Sequence, residues 1–198
     1  MPRSKSGRPR TKPAAVRREE LLSAAQRLFL EQGIAATSIE QITARAAVAK
    51  GTFYLHFTSK EALIEALRER FARELLRALE KAVATAPASD WKKKLSAWVR
   101  AAVAGYLESL RLHDLIFYAA RPPDSTGMTD NPLIDHLLGV LLAGAHARAW
   151  QLDEPRDTAI FLFNGLHGIV EAHGHEAEPQ AKRLSQQVEW LFFRAIGV

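Results

Sequence analysis

Apolar residues recur at intervals of three and four along most of this chain, and that spacing restricts it to packed helices. Val16, Leu21, Leu22, Ala25, Leu28 and Phe29 form one stripe, and Leu63, Ile64, Leu67, Phe71, Leu75, Leu79 and Val83 form a second. Trp91, Leu95, Trp98, Ala102, Tyr106 and Leu110 form a third. A helix turns once in about 3.6 residues, so each set shares one face. No run sustains the two-residue alternation of a strand, and the expectation is an all-α fold of about nine helices.

Local signals divide these stripes. The first helix begins near Pro13 and stops at Gly33. Thr37 and Glu40 have the spacing of a capping box and open a short helix from Ser38 to about Ala46. Residues 46–57, AAVAKGTFYLHF, read as a tight turn and a second short helix. Thr58 and Glu61 repeat the capping spacing at the head of a long helix that reaches about Thr85, ahead of Pro87. Residues 112–120 read as a short helix and 121–132, RPPDSTGMTDNP, as a loop, with Asn131 capping and Pro132 starting a helix to about Trp150. Asp153 and Pro155 open the next helix, to about Gly174, and Pro179 opens the last, which buries Leu184, Val188, Leu191, Phe192 and Ile196.

Charge is unevenly placed. The net charge of the 198 residues is +5, yet residues 1–60 hold eleven Lys or Arg against four acids, Glu19, Glu20, Glu31 and Glu40. The excess positive charge therefore sits in the first third. That is the footprint of a nucleic-acid-binding module on a neutral partner domain, or of a basic tail on an ordinary helical protein. Residues 1–12 lack apolar periodicity and read as a disordered basic arm. The expected division is this arm, a basic helical module over 13–60, and a neutral helical domain over 61–198.

Several function classes are excluded. There is no cysteine, so disulfide and thiolate chemistry are absent. No apolar run approaches the roughly 18 to 20 residues of a spanning helix, and the basic N-terminus lacks the apolar stretch of a secretory signal. A cytoplasmic protein with no membrane partner is expected. No nucleophile and base stand at a recognisable catalytic spacing, so neither an enzyme nor a cofactor is expected.

Three helices within 57 residues, the last two short and about four residues apart, make a helix-turn-helix. Its second helix must dock by one face and present the other to a major groove. Ile39, Ile42, Val48 and Phe53 supply the docking side, which leaves Lys50, Gly51, Thr52, Tyr54 and His56 outside. Solvated surface for Lys50 and Thr52, helix packing for Gly51 and a core position for Tyr54 are the structural alternatives.

The stretch TSIEQITARAAVAKGTFYLHFTSKEAL, residues 37–63, resembles the signature of the TetR family of bacterial regulators. Thr37, Ile42, Ala46, Val48, Gly51, Tyr54, Phe57, Lys60 and Leu63 carry the similarity, which extends back to about Val16. The resemblance implies a ligand-responsive regulator, most often a repressor, that binds a pseudo-palindromic operator as a homodimer. It implies base contacts from Lys50 and Thr52, close backbone approach at Gly51, and phosphate contacts from Tyr54, His56 and Lys60, with Thr37 and Ser38 completing the DNA-binding set. Three positions depart from the pattern. Ala47 and Ala49 stand where Gly and Ser are usual, and Leu55 is apolar where a polar residue is common. Ala47 occupies a helix-ending position that glycine normally fills in the left-handed conformation. The missing Ser cap costs about 1 kcal/mol.

By the same resemblance the last two long helices pair with their copies in a four-helix bundle. Phe161, Phe163, Leu166 and Ile169 make the first of them apolar on more than one side, and Gly165 and Gly168 allow close approach. A small, mainly apolar effector is expected among Trp98, Tyr106, His113, Phe117, Tyr118, His136 and Trp150. The alternative is a metal-responsive regulator using His167, Glu171, His173 and His175, of which His167 and Glu171 share a helix face. No HExxH motif occurs, and no residue is assigned as a metal ligand.

Overall fold

The fold is that of a computed structural model, which describes residues 12–118, 131–174 and 181–198, the Tyr118 side chain excepted. The arm before Lys12, most of the 121–132 loop, Pro179 and His175 lie outside the described residues. The described residues form eight α-helices and one π-helical turn, with no strand. These are α1 Ala14–Gln32, α2 Ile39–Arg45, α3 Lys50–Tyr54, α4 Lys60–Thr85, α5 Trp91–His113, the π-turn Asp114–Tyr118, α6 Pro132–His146, α7 Pro155–Gly174 and α8 Ala181–Ala195. Two compact units divide after Leu67, so that α4 starts in the first and continues into the second.

In the first unit, α2 and α3 are too short to persist alone and are held by burial. Ile42 and Phe53 are completely buried, with Leu21, Leu22, Ala25 and Phe29 of α1 in the same core. Ile39 and Val48 are half-buried at its edge. Both helix starts lie one residue later than the Thr-based caps. At α2, Ser38 accepts from the Gln41 amide at 3.2 Å while Gln41 Oε1 accepts from the Ser38 amide at 2.8 Å, a reciprocal capping box. Thr37 instead turns inward, 1% exposed, and its hydroxyl donates to the Gly33 carbonyl at 2.7 Å. At α4 the cap is Ser59, whose Oγ accepts from the Ala62 amide at 3.2 Å, rather than Thr58.

The turn from α2 to α3 is a Schellman motif. The Val48 amide donates to the Thr43 carbonyl at 3.0 Å and the Ala47 amide to Ala44 at 3.1 Å. Closing both bonds puts Ala47 at φ +54°, the left-handed region expected from its position. Ala49, the N-cap of α3, makes no side-chain cap. Ala47→Gly is therefore expected to be neutral to about 1 kcal/mol stabilising: it removes a strain of roughly 1–2 kcal/mol and adds about 0.4–1 kcal/mol of unfolded-chain entropy. Urea denaturation of both proteins measures this, and a clear loss of stability would show that the turn is not left-handed in solution.

In the second unit, α5 does not break near Leu110. No Gly or Pro interrupts RLHDLIFY, and the helix passes directly into the π-turn. Asn131 and Pro132 open α6 as expected, the Asn131 side chain accepting from the Leu133 amide at 2.9 Å. The core gathers Leu95, Trp98, Val99 and Val103 of α5, Ile134, Leu137 and Leu141 of α6, Ala159 and Val170 of α7, and Val188 and Phe192 of α8.

Candidate functional site

Two places concentrate chemistry, one in each unit. In the first unit it is the outer face of α3. Phe53 anchors the helix, edge-on to Tyr54 and tilted against Phe57. With that side fixed, Lys50, Gly51, Tyr54 and Leu55 are exposed, while Thr52 and His56 are half-buried. A Cβ built at Gly51 meets nothing within 4 Å, so the fold gives no internal reason for glycine there.

The cations near this face already have partners within the unit. Lys50 pairs with Glu40 of α2, an ion pair that holds the Glu40 carboxyl below its usual range and raises the lysine. Arg45 forks onto Glu31 of α1 at 3.0 and 2.7 Å. Lys60 Nζ donates to the carbonyls of Ile34 and Thr37, at 3.0 Å each, and so ties the start of α4 to the α1–α2 turn. Lys60 thus has a structural task that its sequence position did not reveal. Exposed pairs such as Lys50 with Glu40 exchange readily for other anions, because in water they contribute little.

The second unit holds a polar cluster inside an aromatic wall. The Tyr106 hydroxyl lies 2.7 Å from His113 Nε2 and also hydrogen-bonds the His167 ring. One phenolic proton serves one imidazole, so the hydroxyl accepts from the other. Phe117 stacks on His113 with centroids 4.6 Å apart, and Phe71 meets Tyr106, His113 and Phe117. Burial lowers the pKa of His113, against the opposing pull of Asp114 and Glu171. It lowers that of His167 too, with Glu171 again opposing. Both rings therefore favour the neutral form, able to donate or accept. Arg68 of α4 closes the cluster: its Nε donates to the Ile116 carbonyl at 2.7 Å and its guanidinium lies over Phe117.

Of the seven aromatic and histidine candidates for an effector site, the Tyr118 side chain lies outside the described residues, and the other six separate. Tyr106, His113 and Phe117 come together; Phe71, Arg68 and His167 join them. Phe71 reads in the sequence as one more member of an apolar stripe, and His167 as a metal candidate. Trp98 and His136 form a separate pair, the indole donating to Nδ1 at 3.1 Å, with Phe192 beside the indole. Trp150 stands apart, buried against Gly144 with its indole N–H on the Leu141 carbonyl at 2.8 Å. Among the described residues no three His, Asp or Glu side chains gather to hold a metal ion.

A third feature is apolar. The inward side of α7 buries Ala159, Leu162, Phe163, Leu166 and Val170, yet Phe161 is 69% exposed on the other side. Between α7 and α8 a groove runs along Phe161, Gly165, Ile169 and Leu191. Trp190 of α8 is also exposed. Added Cβ atoms at Gly165 and Gly168 meet nothing. No helix among the described residues is long and apolar enough to cross a membrane.

Comparison with known proteins agrees with this architecture. A family model described as bacterial regulatory proteins, tetR family, matches residues 21–67. The HTH-type transcriptional repressor Rv3405c of Mycobacterium tuberculosis is 32% identical over 182 residues, which cover 84% of this chain and 90% of that protein. Among solved structures, a protein of unknown function from Rhodococcus sp. RHA1 superposes with a TM-score of 0.78 at 21% identity, over 98% of this chain and 100% of that one. The fatty acid degradation regulator FadR from Bacillus halodurans gives 0.73 at 19% identity, over 92% and 96%. Likeness at such identity shows the fold alone, whereas the relative that matches along most of both chains shows descent. The chain is a helix-turn-helix transcriptional regulator, not an enzyme, and it belongs to the tetR family of bacterial regulatory proteins.

Proposed function

We propose that the protein is a homodimeric repressor that holds a pseudo-palindromic operator through α3 and releases it when a small, mainly apolar effector enters the C-terminal unit. The observation that carries the effector reading is the Tyr106–His113–His167 group: hydrogen-bonding rings gathered inside an aromatic wall in a unit otherwise built as an apolar core. A ligand with an apolar body and one polar group matches such a lining, because each buried polar atom it displaces must be satisfied again. Repression follows the name of the mycobacterial relative. Lys50, Gly51, Thr52, Tyr54 and His56 form the contact set on α3, with Ser38 at the start of α2. Thr37 and Lys60 serve chiefly to brace the α1–α2 turn that supports it. The bond from Arg68 to Ile116 ties α4 to the turn that carries Phe117, so displacement of Phe117 would be felt along α4, the helix that Lys60 begins. Coupling of about 1–3 kcal/mol is enough for such a switch. Compounds that raise the melting temperature should also release operator DNA, and this release should weaken in Tyr106→Phe; stabilising compounds that leave DNA affinity unchanged would contradict the reading.

The dimer rests on the outward side of α7. A helix apolar on two sides needs two partners, and this chain supplies one. Phe161→Glu is expected to convert the dimer to a folded monomer, as seen by sedimentation velocity with helical content retained by circular dichroism. An unchanged dimer would place the interface elsewhere.

A further inference from the structure

Leu55 is the most exposed large apolar side chain among the described residues, at 82%, and nothing in its own unit covers it. Its backbone is still helical, with φ −72° and ψ −20°, and its amide donates to the Gly51 carbonyl at 3.3 Å. The 3.6-residue turn therefore applies through this position. Phe53, completely buried, marks the docked side of α3, and Gly51 and Leu55, two residues to either side of it, both fall nearly opposite. The outermost line of the helix is thus a glycine with open space around it and, one turn on, a bare leucine. This line belongs to the unit that carries the excess positive charge.

Resting on the DNA-reading function proposed above, we propose that Leu55 is a specificity-determining residue that packs on the C5-methyl of one thymine in each half-site. The partner is double-stranded DNA because this line lies on the outer face of α3, the helix proposed above to read it, in a chain whose first 60 residues hold the excess positive charge. The chemical target follows from the groove: base edges there present hydrogen-bonding atoms, and the thymine methyl is their one apolar group. Leucine offers no donor or acceptor, so it reads that methyl or nothing. Gly51, on the same line, lets the backbone come close enough for a side chain of this length to reach the base.

The test uses duplexes derived from the operator recovered by selection, with each thymine replaced in turn by deoxyuridine, which removes only the methyl. The wild-type protein should lose roughly fourfold in affinity per half-site at one thymine position, the worth of one buried methyl. Leu55→Ala should bind the thymine and deoxyuridine duplexes alike at that position and keep the wild-type preferences elsewhere. Circular dichroism confirms that this exposed substitution leaves the fold intact. If no thymine is sensitive, or if the deoxyuridine penalty is the same in Leu55→Ala, the assignment to Leu55 is overturned while DNA reading stands. If the folded protein selects no duplex at all, DNA reading falls and this assignment falls with it.

Discussion

Gly51→Leu is expected to leave the protein folded while operator affinity falls about a hundredfold, equivalent to about 2.8 kcal/mol. The two halves of that expectation have separate origins. Within the chain a Cβ at Gly51 meets open space, and leucine is the better helix former by up to about 1 kcal/mol. Thermal stability should therefore hold or rise slightly. Against DNA the same side chain projects from the outermost line of α3 and props the backbone away from the bases, so Lys50, Thr52 and Tyr54 lose their reach together. Melting curves and operator titrations of the two proteins separate the effects. Retained affinity would show that α3 meets DNA by another face; lost stability would show that Gly51 has a packing role.

Gly144→Ala should cost the second unit about 2–3 kcal/mol of stability, the largest loss expected from an added methyl group at any of the described glycines. A Cβ there would lie 1.9 Å from Cζ2 of Trp150 and 2.4 Å from Cε2. The indole cannot easily give way. It is buried, its N–H is bonded to Leu141, and it follows a helix end that turns through Arg148 at φ +59°. Overpacking of this kind typically costs about 1–3 kcal/mol, loss of the indole bond adds about 1 kcal/mol, and the gain of alanine over glycine in a helix returns about 0.5–1 kcal/mol. Gly139→Ala, in the same helix with nothing within 4 Å, isolates that last contribution and should stabilise slightly. Urea denaturation of the pair decides the matter, and equal responses would contradict the packing of Trp150 on Gly144.

Much of this arrangement was legible in the sequence, and the parts that were not share a physical cause. The all-α class and the order of the long helices followed from apolar spacing, because burial of one face is what makes each helix persist. The left-handed conformation of Ala47 was legible because a short helix that must stop and reverse has few ways to close its last carbonyls. Cap register was not. Thr37–Ser38 and Thr58–Ser59 are adjacent pairs of cap formers, and Glu40 or Gln41 completes a box with either member of the first. Only the inward bond from Thr37 to Gly33 decides between them. Residues 112–120 were read as a separate short helix, whereas α5 runs on through His113 into the π-turn without a break. At the C-terminal cluster, spacing placed Tyr106, His113 and Phe117 along consecutive helical segments but could not show which other helices face them. Phe71 and His167 therefore went unassigned to it, and spacing could not separate the Trp98–His136 pair or Trp150 from its members.

The central claim, that this chain reads inverted half-sites as a dimer through α3, is tested most directly by selecting duplexes from a randomised library at low salt and measuring the affinity of the recovered sequence as salt is raised. The account predicts enrichment of a pseudo-palindrome whose binding weakens steeply with salt, as counterions return to the phosphates that the protein had neutralised. A folded protein that enriches no sequence, or one whose binding does not respond to salt, would contradict it.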